Sequence, residues 1–204
     1  MIRAVIVGIA VLTIAGCGSE SEPAATSSSA ADASSAAPVS AEQQIRDLVA
    51  KEKTALAKFD FNSLAELTCL QYRDAVRNQA DTLFPPLSAA GAPGELAGAP
   101  VDLLRSGFKR QHPTASDATI NQLVDALIRS DEPAYKAANL EILRQTSKAT
   151  IDKVENIKIT GDKATADLTT TWMIGENPPA TATQPNAYAK EDGHWLDCQS
   201  PTPQ

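Results

Sequence analysis

The stretch Lys163-Ala164-Thr165-Ala166-Asp167-Leu168-Thr169-Thr170-Thr171-Trp172-Met173-Ile174 decides the fold. Ala164, Ala166, Leu168, Thr170, Trp172 and Ile174 alternate with polar residues for six steps, the period of a strand that buries one face. Upstream the same period begins near Thr150, where Val154, Ile157 and Ile159 lead into Gly161-Asp162, a two-residue hairpin signal. Downstream, Asn177 to Pro185 holds three prolines and reads as a loop. Asn186 to Lys190 then reads as a third strand, which Asp192-Gly193 turns into a last one, Trp195 to Gln199. Short turns between successive strands make an antiparallel meander.

The residues before this meander carry the helical period. Ser40 with Gln43 matches a capping box, and Ile45, Leu48, Val49, Leu56 and Phe59 follow at helical spacing, which predicts an amphipathic helix over 41–58. Asp60 caps a short second helix through Leu67, and Ala65 to Gln79 either continues it or forms a third, until Phe84-Pro85-Pro86 ends the run. Residues 87–100, rich in Gly, Pro and Ala, read as a loop. Three more helices follow. Val101, Leu104 and Phe108 mark one that stops at His112-Pro113. Ser116 caps the next, whose inner face is Ile120, Leu123, Val124, Leu127 and Ile128. Asp131 with Pro133 starts the last, with Tyr135, Ala138, Ile142 and Leu143 inward. Helices first and an antiparallel meander afterwards predict an α+β fold with a helical middle section.

The charge balance excludes one class of partner. Eighteen Lys and Arg against 25 Asp and Glu give the 204-residue chain a formal charge of −7, whereas a nucleic-acid partner calls for a basic surface. Three cysteines and two histidines are too few for a disulfide scaffold or a His-rich metal centre, so no metal and no cofactor is expected. HExxH, GxSxG, Walker and GxGxxG patterns are absent from the sequence, which removes the corresponding hydrolase and nucleotide-binding readings.

Residues 1–16 read as a leader: Met1-Ile2-Arg3 is a short positive segment, and Ala4 to Ile14 is an apolar run too short to span a bilayer. The run closes on Thr13-Ile14-Ala15-Gly16-Cys17, small residues set directly before a cysteine. This resembles a bacterial lipobox, and the resemblance implies cleavage after Gly16, lipidation of Cys17, and anchorage at the outer face of the cell membrane. Residues 17–40 would then be anchor and tether. Gly18 to Ser40 contains eight Ser and seven Ala with no aromatic, too little apolar surface to offset the entropy of ordering it. Its composition also permits O-glycosylation. Residues 41–204 carry all nine aromatics and form a single domain.

An initial helix, an Asp-initiated short helix with Cys69 directly after it, a helical section and a terminal meander closing on Lys190-Glu191-Asp192-Gly193-His194-Trp195-Leu196-Asp197-Cys198 resemble the nuclear transport factor two-like (cystatin-like) domain, in the version found in actinobacterial, mycobacterial-type lipoproteins. The resemblance covers residues 41–200 and implies helices packed on a curved antiparallel sheet that forms a cone. The long helical segment 87–147 departs from the usual layout.

With Cys17 taken by the lipid, Cys69 and Cys198 remain, and an oxidising compartment would pair them as a disulfide. The competing redox-thiol reading asks for a CxxC, a basic neighbour or a His; none stands next to Cys69, and His194, four residues before Cys198, falls at the turn and not beside the sulfur. His112 and His194 read as solvated surface residues. Enzymes of the resembled fold place Asp, His and Tyr inside the cone. The acids on suitable segments are Asp60, Asp74, Asp167 and Asp197, with Tyr72, Tyr135 and Tyr188 as partners; Asp60 reads better as a helix cap and Asp167 lies on the strand face opposite Leu168 and Trp172, and no acid/base pair emerges. If a pocket exists, Trp172, Thr170, Leu168, Tyr72 and Tyr188 are its expected lining, since small Ala164 and Ala166 leave room on the same strand face; a well-packed core with a helix pressed closely onto the sheet explains the small residues equally well. The expected function is that of a non-enzymatic, membrane-anchored module that binds a small apolar ligand or serves an envelope protein. The alternatives are a small dehydratase- or isomerase-like enzyme with a pocket Asp or Tyr, and a structural, dimerising domain with an exposed apolar face on strand 163–174.

Overall fold

The computed structural model describes residues 39–90 and 98–201. The leader, Cys17 and the tether up to residue 38 lie outside them. The described chain is α+β, helices followed by a curled four-stranded antiparallel sheet of order β1-β2-β3-β4.

Helix α1, Ala41–Ala57, begins where Ser40 Oγ accepts from the Gln43 amide and buries Ile45, Leu48, Val49, Glu52 and Ala55. Asp60 caps α2, Phe61–Glu66, through Ser63. Helix α3, Leu70–Arg77, is a separate element, because Leu67 to Cys69 leaves the helical path to run beside the last strand. Cys69 N donates to Asp197 O and Asp197 N to Leu67 O. Helix α4, Gln79–Leu83, adds one turn before Pro85 and Pro86. Helices α5, Val101–Gln111, α6, Asp117–Arg129, and α7, Glu132–Thr146, follow their expected positions, with Ser116 and Asp131 as side-chain caps. They close a cluster of their own around Ile120, Leu123, Leu127, Ala138 and Ile142.

Helix α7 passes directly into β1, Ser147–Thr160, which pairs with β2, Lys163–Ile174, then β3, Ala180–Glu191, and β4, His194–Asp197. Bulges in β1 between Ile151 and Lys153 and between Glu155 and Lys158 interrupt the register and bend this edge strand. The reading of Asn177 to Pro185 as a loop is corrected, since β3 starts at Ala180 and pairs with β2 through Pro185. The reason is directional. Ala187 O accepts from Cys198 N, so the polar groups of Ala187, and by alternation those of Pro185, face the β4 side. Strand β4 reaches only as far as Tyr188, so the missing N–H of Pro185 falls on an open edge and costs no ladder bond.

The inner sheet face presents Ile151, Ala164, Ala166, Tyr188 and Trp195 to α1, which packs Ile45, Leu48 and Val49 onto it. Each such aliphatic side chain contributes roughly 1.5–3 kcal/mol. Further along the strands, Ala149 and Trp172 meet Phe59, Phe61, Leu83 and Leu143 from the helices.

Candidate functional site

Two features of the inner sheet face are candidates, one polar and sealed, one apolar and open. The polar one is built by α1, β3 and β4. Glu52 follows Leu48 and Val49 by one helical turn, so its carboxyl is carried inward, and it is only 4% exposed. Asn186 and Tyr188, two residues apart on β3, share the inner face and are 8% and 2% exposed. Asp197 lies opposite Tyr188 on β4.

No described cation pairs with Glu52 or Asp197. Burial, and then the Asp197 charge, hold the Glu52 carboxyl well above its ordinary range. Burial also raises Asp197, against the Gln199 amide, which donates to its Oδ1 at 2.7 Å. The Tyr188 hydroxyl is pushed up by burial and then by Glu52. The Asn186 amide favours the ionised forms of Asp197 and Tyr188 without closing a hydrogen bond of good geometry. Glu52 Oε1, Asn186 Nδ2, Tyr188 OH and Trp195 Nε1 have no protein hydrogen-bond partner. Such a set holds a proton firmly. Yet none of the described cavities is lined by Glu52, Asn186, Tyr188 or Asp197, and of the four only Asp197 is more than marginally exposed.

The apolar feature is a cavity of about 370 Å³ walled by Phe59, Phe61, Leu64, Leu83, Leu143 and Trp172. It forms where α1 has ended and the short helices α2 and α4, with α7, cover the sheet instead. Of the five residues expected to line a pocket, Trp172 stands on this wall. Leu168 packs against the α1 cluster, Tyr188 is sealed within it, Thr170 is half-buried between Leu168 and Trp172, and Tyr72 is half-buried on α3. The structure does not bring the five together, because α1 itself fills the space over Ala164 and Ala166.

The four acids separate as well. Asp60 accepts from Ser63, Asp74 pairs with Arg77 at the surface, Asp167 accepts from Asn156 at the surface, and Asp197 alone of them enters the polar cluster. Tyr135 packs among the helices α5 to α7. Glu52 went unnoticed in the sequence although a signal was there: it fills the gap between Val49 and Leu56 in the apolar stripe, a place where a carboxylate is bound to face the core.

Cys69 and Cys198 form a disulfide, Cα to Cα 5.0 Å, that ties the start of α3 to the end of β4. They cluster with Glu191, whose carboxylate accepts from the Leu70 amide. With both sulfurs in the disulfide, this group lacks the thiolates a soft metal would take. His112 lies at the end of α5 and His194 at the start of β4. The outer face of β2 carries hydroxyl pairs, Thr169 with Thr183 and Thr171 with Thr181, in place of the exposed apolar face a dimerising strand would need. No helix among the described residues is long and apolar enough to cross a membrane.

No protein family matches the chain, and no curated protein does. Among solved structures it is similar to a SEC-C motif containing protein from Rhodopseudomonas palustris, with 13% identity over 78% of this chain and 76% of that one at a TM-score of 0.35. It is also similar to an NTF-2 like protein of unknown function from Shewanella oneidensis MR-1, with 9% identity over 76% of this chain and 93% of that one at a TM-score of 0.36.

Proposed function

We propose that this chain is a membrane-anchored module at the outer face of the cell membrane whose domain binds a small apolar ligand in the Trp172 cavity. The observation that carries the binding role is the cavity itself: about 370 Å³, walled chiefly by three aromatic rings and four leucines, and within the size range of small-molecule sites. The anchoring role draws on the apolar run before Cys17 and its resemblance to a lipobox.

Binding is tested with N-phenyl-1-naphthylamine, a neutral probe that brightens in apolar surroundings. The full-length chain is expected to bind it saturably, and Leu83→Trp, which fills the cavity, is expected to abolish the signal with an unchanged circular dichroism spectrum. Absence of saturable binding by the wild-type chain removes the proposal. Anchoring is tested by metabolic labelling with an alkynyl fatty acid. Label in the wild-type chain and none in Cys17→Ser is expected, and an unlabelled wild-type chain in the soluble fraction refutes it.

A second reading, a small enzyme of the dehydratase or isomerase kind, draws on the raised Glu52 and Asp197 carboxyls. It requires the α1 cover to open. Slow hydrogen exchange throughout α1, at the rate set by global unfolding, counts against it.

A further inference from the structure

The Trp172 cavity has a neighbour. A second cavity of about 360 Å³ lies beside it and shares two walls with it, Leu143 and Ile174. Ile174 is 58% exposed and, with Leu143, stands between the two spaces, so that they adjoin along one apolar edge. Their chemistry differs. The first is mainly apolar, with Gln79 and the exposed Lys148 as its polar members; the second adds exposed Arg110, His112 and buried Ser147 to Phe84 and the shared side chains.

Arg110 lies in the last turn of α5 and makes no ion pair and donates no side-chain hydrogen bond among the described residues. Ser147, where α7 passes into β1, is 6% exposed and its Oγ is buried with no partner. An unpaired buried hydroxyl costs free energy unless something else meets it. Glu176, exposed on the turn after Ile174, is the single carboxylate on this wall, and Arg110 is not paired with it. Unpaired donors at one end and a mainly aromatic and aliphatic lining at the other suit an amphiphilic molecule.

We infer that the ligand is a single-chain amphiphile with a compact anionic head, its tail in the Trp172 cavity and its head at Arg110, His112 and Ser147. This rests on the binding role proposed above and specifies the ligand class. A carboxylate and a phosphate monoester both fit the donor set. Each methylene buried in the tail cavity is expected to tighten binding about three- to fourfold.

The test uses the full-length chain and displacement of N-phenyl-1-naphthylamine by decanoate, decyl phosphate and 1-decanol. In Arg110→Gln/His112→Gln, decanoate or decyl phosphate is expected to bind about tenfold more weakly than to the wild type, while 1-decanol stays within about twofold. Whichever anion loses more identifies the head group. Ser147→Ala supplies a second variant, expected to weaken the anion by a few-fold and leave the alcohol unchanged. Equal anion affinity in wild type and both variants overturns this inference and leaves the apolar site standing. Failure of the neutral probe to bind the wild type overturns both.

Discussion

Glu52→Gln tests whether the carboxyl in the core keeps its proton. Gln reproduces the shape of protonated Glu and its mixed donor and acceptor atoms, so the substitution removes a titration and little else. In the wild type, burial and then Asp197 raise Glu52, whereas in the unfolded chain a Glu titrates near pH ~4.3. In the window from that value up to the raised one, the folded chain binds more protons than the unfolded chain, so stability falls as pH rises. One proton sets a ceiling of about 1.4 kcal/mol per pH unit, hence at most about 2.7 kcal/mol between pH 5 and 7. Ionising Glu52 beside Asp197 is resisted, because a buried site disfavours the charged form and a neighbouring like charge disfavours it further. Urea unfolding at pH 5, 6 and 7, followed by circular dichroism, reads the effect. The Gln variant is expected to gain on the wild type steadily across the series, the wild type retaining the residual slope contributed by Asp197, which is raised in the same sense. A constant difference, or a Gln variant that loses ground as pH rises, would mean that native Glu52 is ionised and paired, and would refute the reasoning.

Three further outcomes follow from single contacts. Opening the Cys69–Cys198 bridge, which spans 129 residues, in the double Ser variant is expected to cost on the order of 4–5 kcal/mol, seen as a lower urea midpoint that reducing agent no longer shifts. Asp60→Ala is expected to cost about 1 kcal/mol at neutral pH. The Ser63 hydroxyl and amide lower the Asp60 carboxyl, so this contribution is complete above the unfolded value near pH ~3.9 and is lost as pH falls through the folded one; thermal melts at pH 7 and 3 should show the deficit shrinking in acid. Ala166→Leu forces a larger side chain between the sheet and α1 at a site 1% exposed, and is expected to cost about 1–3 kcal/mol in urea unfolding, whereas Ala182→Leu on the exposed start of β3 should cost far less.

The elements were legible wherever a local signal settled them. Ser40, Asp60, Ser116 and Asp131 begin helices because a side-chain oxygen meets an amide three residues on, an interaction contained within four residues of sequence. The six-step alternation from Ala164 to Ile174 placed β2 for the same reason. What was illegible depends on distant partners. Pro178, Pro179 and Pro185 argue locally for a loop, and only the short reach of β4 frees the edge on which Pro185 is tolerated. The break between α2 and α3 comes from the pairing of Leu67 to Cys69 with Asp197, about 130 residues away. Thr170, Leu168, Tyr72 and Tyr188 have the composition of a pocket wall, yet whether such residues line a space depends on what lies over them.

That last dependence explains why the sheet carries two such different features on one face. Ala164 and Ala166 have side chains small enough for α1 to approach closely, and the helix then seals Glu52, Asn186 and Tyr188 beneath it, with half-buried Asp197 at their edge. The helix stops at Ala57, and Phe59, with φ +48, turns the chain sharply away from its axis. Beyond that turn the larger Trp172 holds the covering helices off, and α2 and α4 are only six and five residues long, too short to lay a continuous apolar stripe along the strand. One long helix on small side chains gives a closed core; several short helices on a large one leave a gap. The cavity is therefore a property of the junction between α1 and the helical middle section, and its neighbour lies where α7 runs into β1 without a loop, which sets Ser147 and Ile174 side by side under the end of α5.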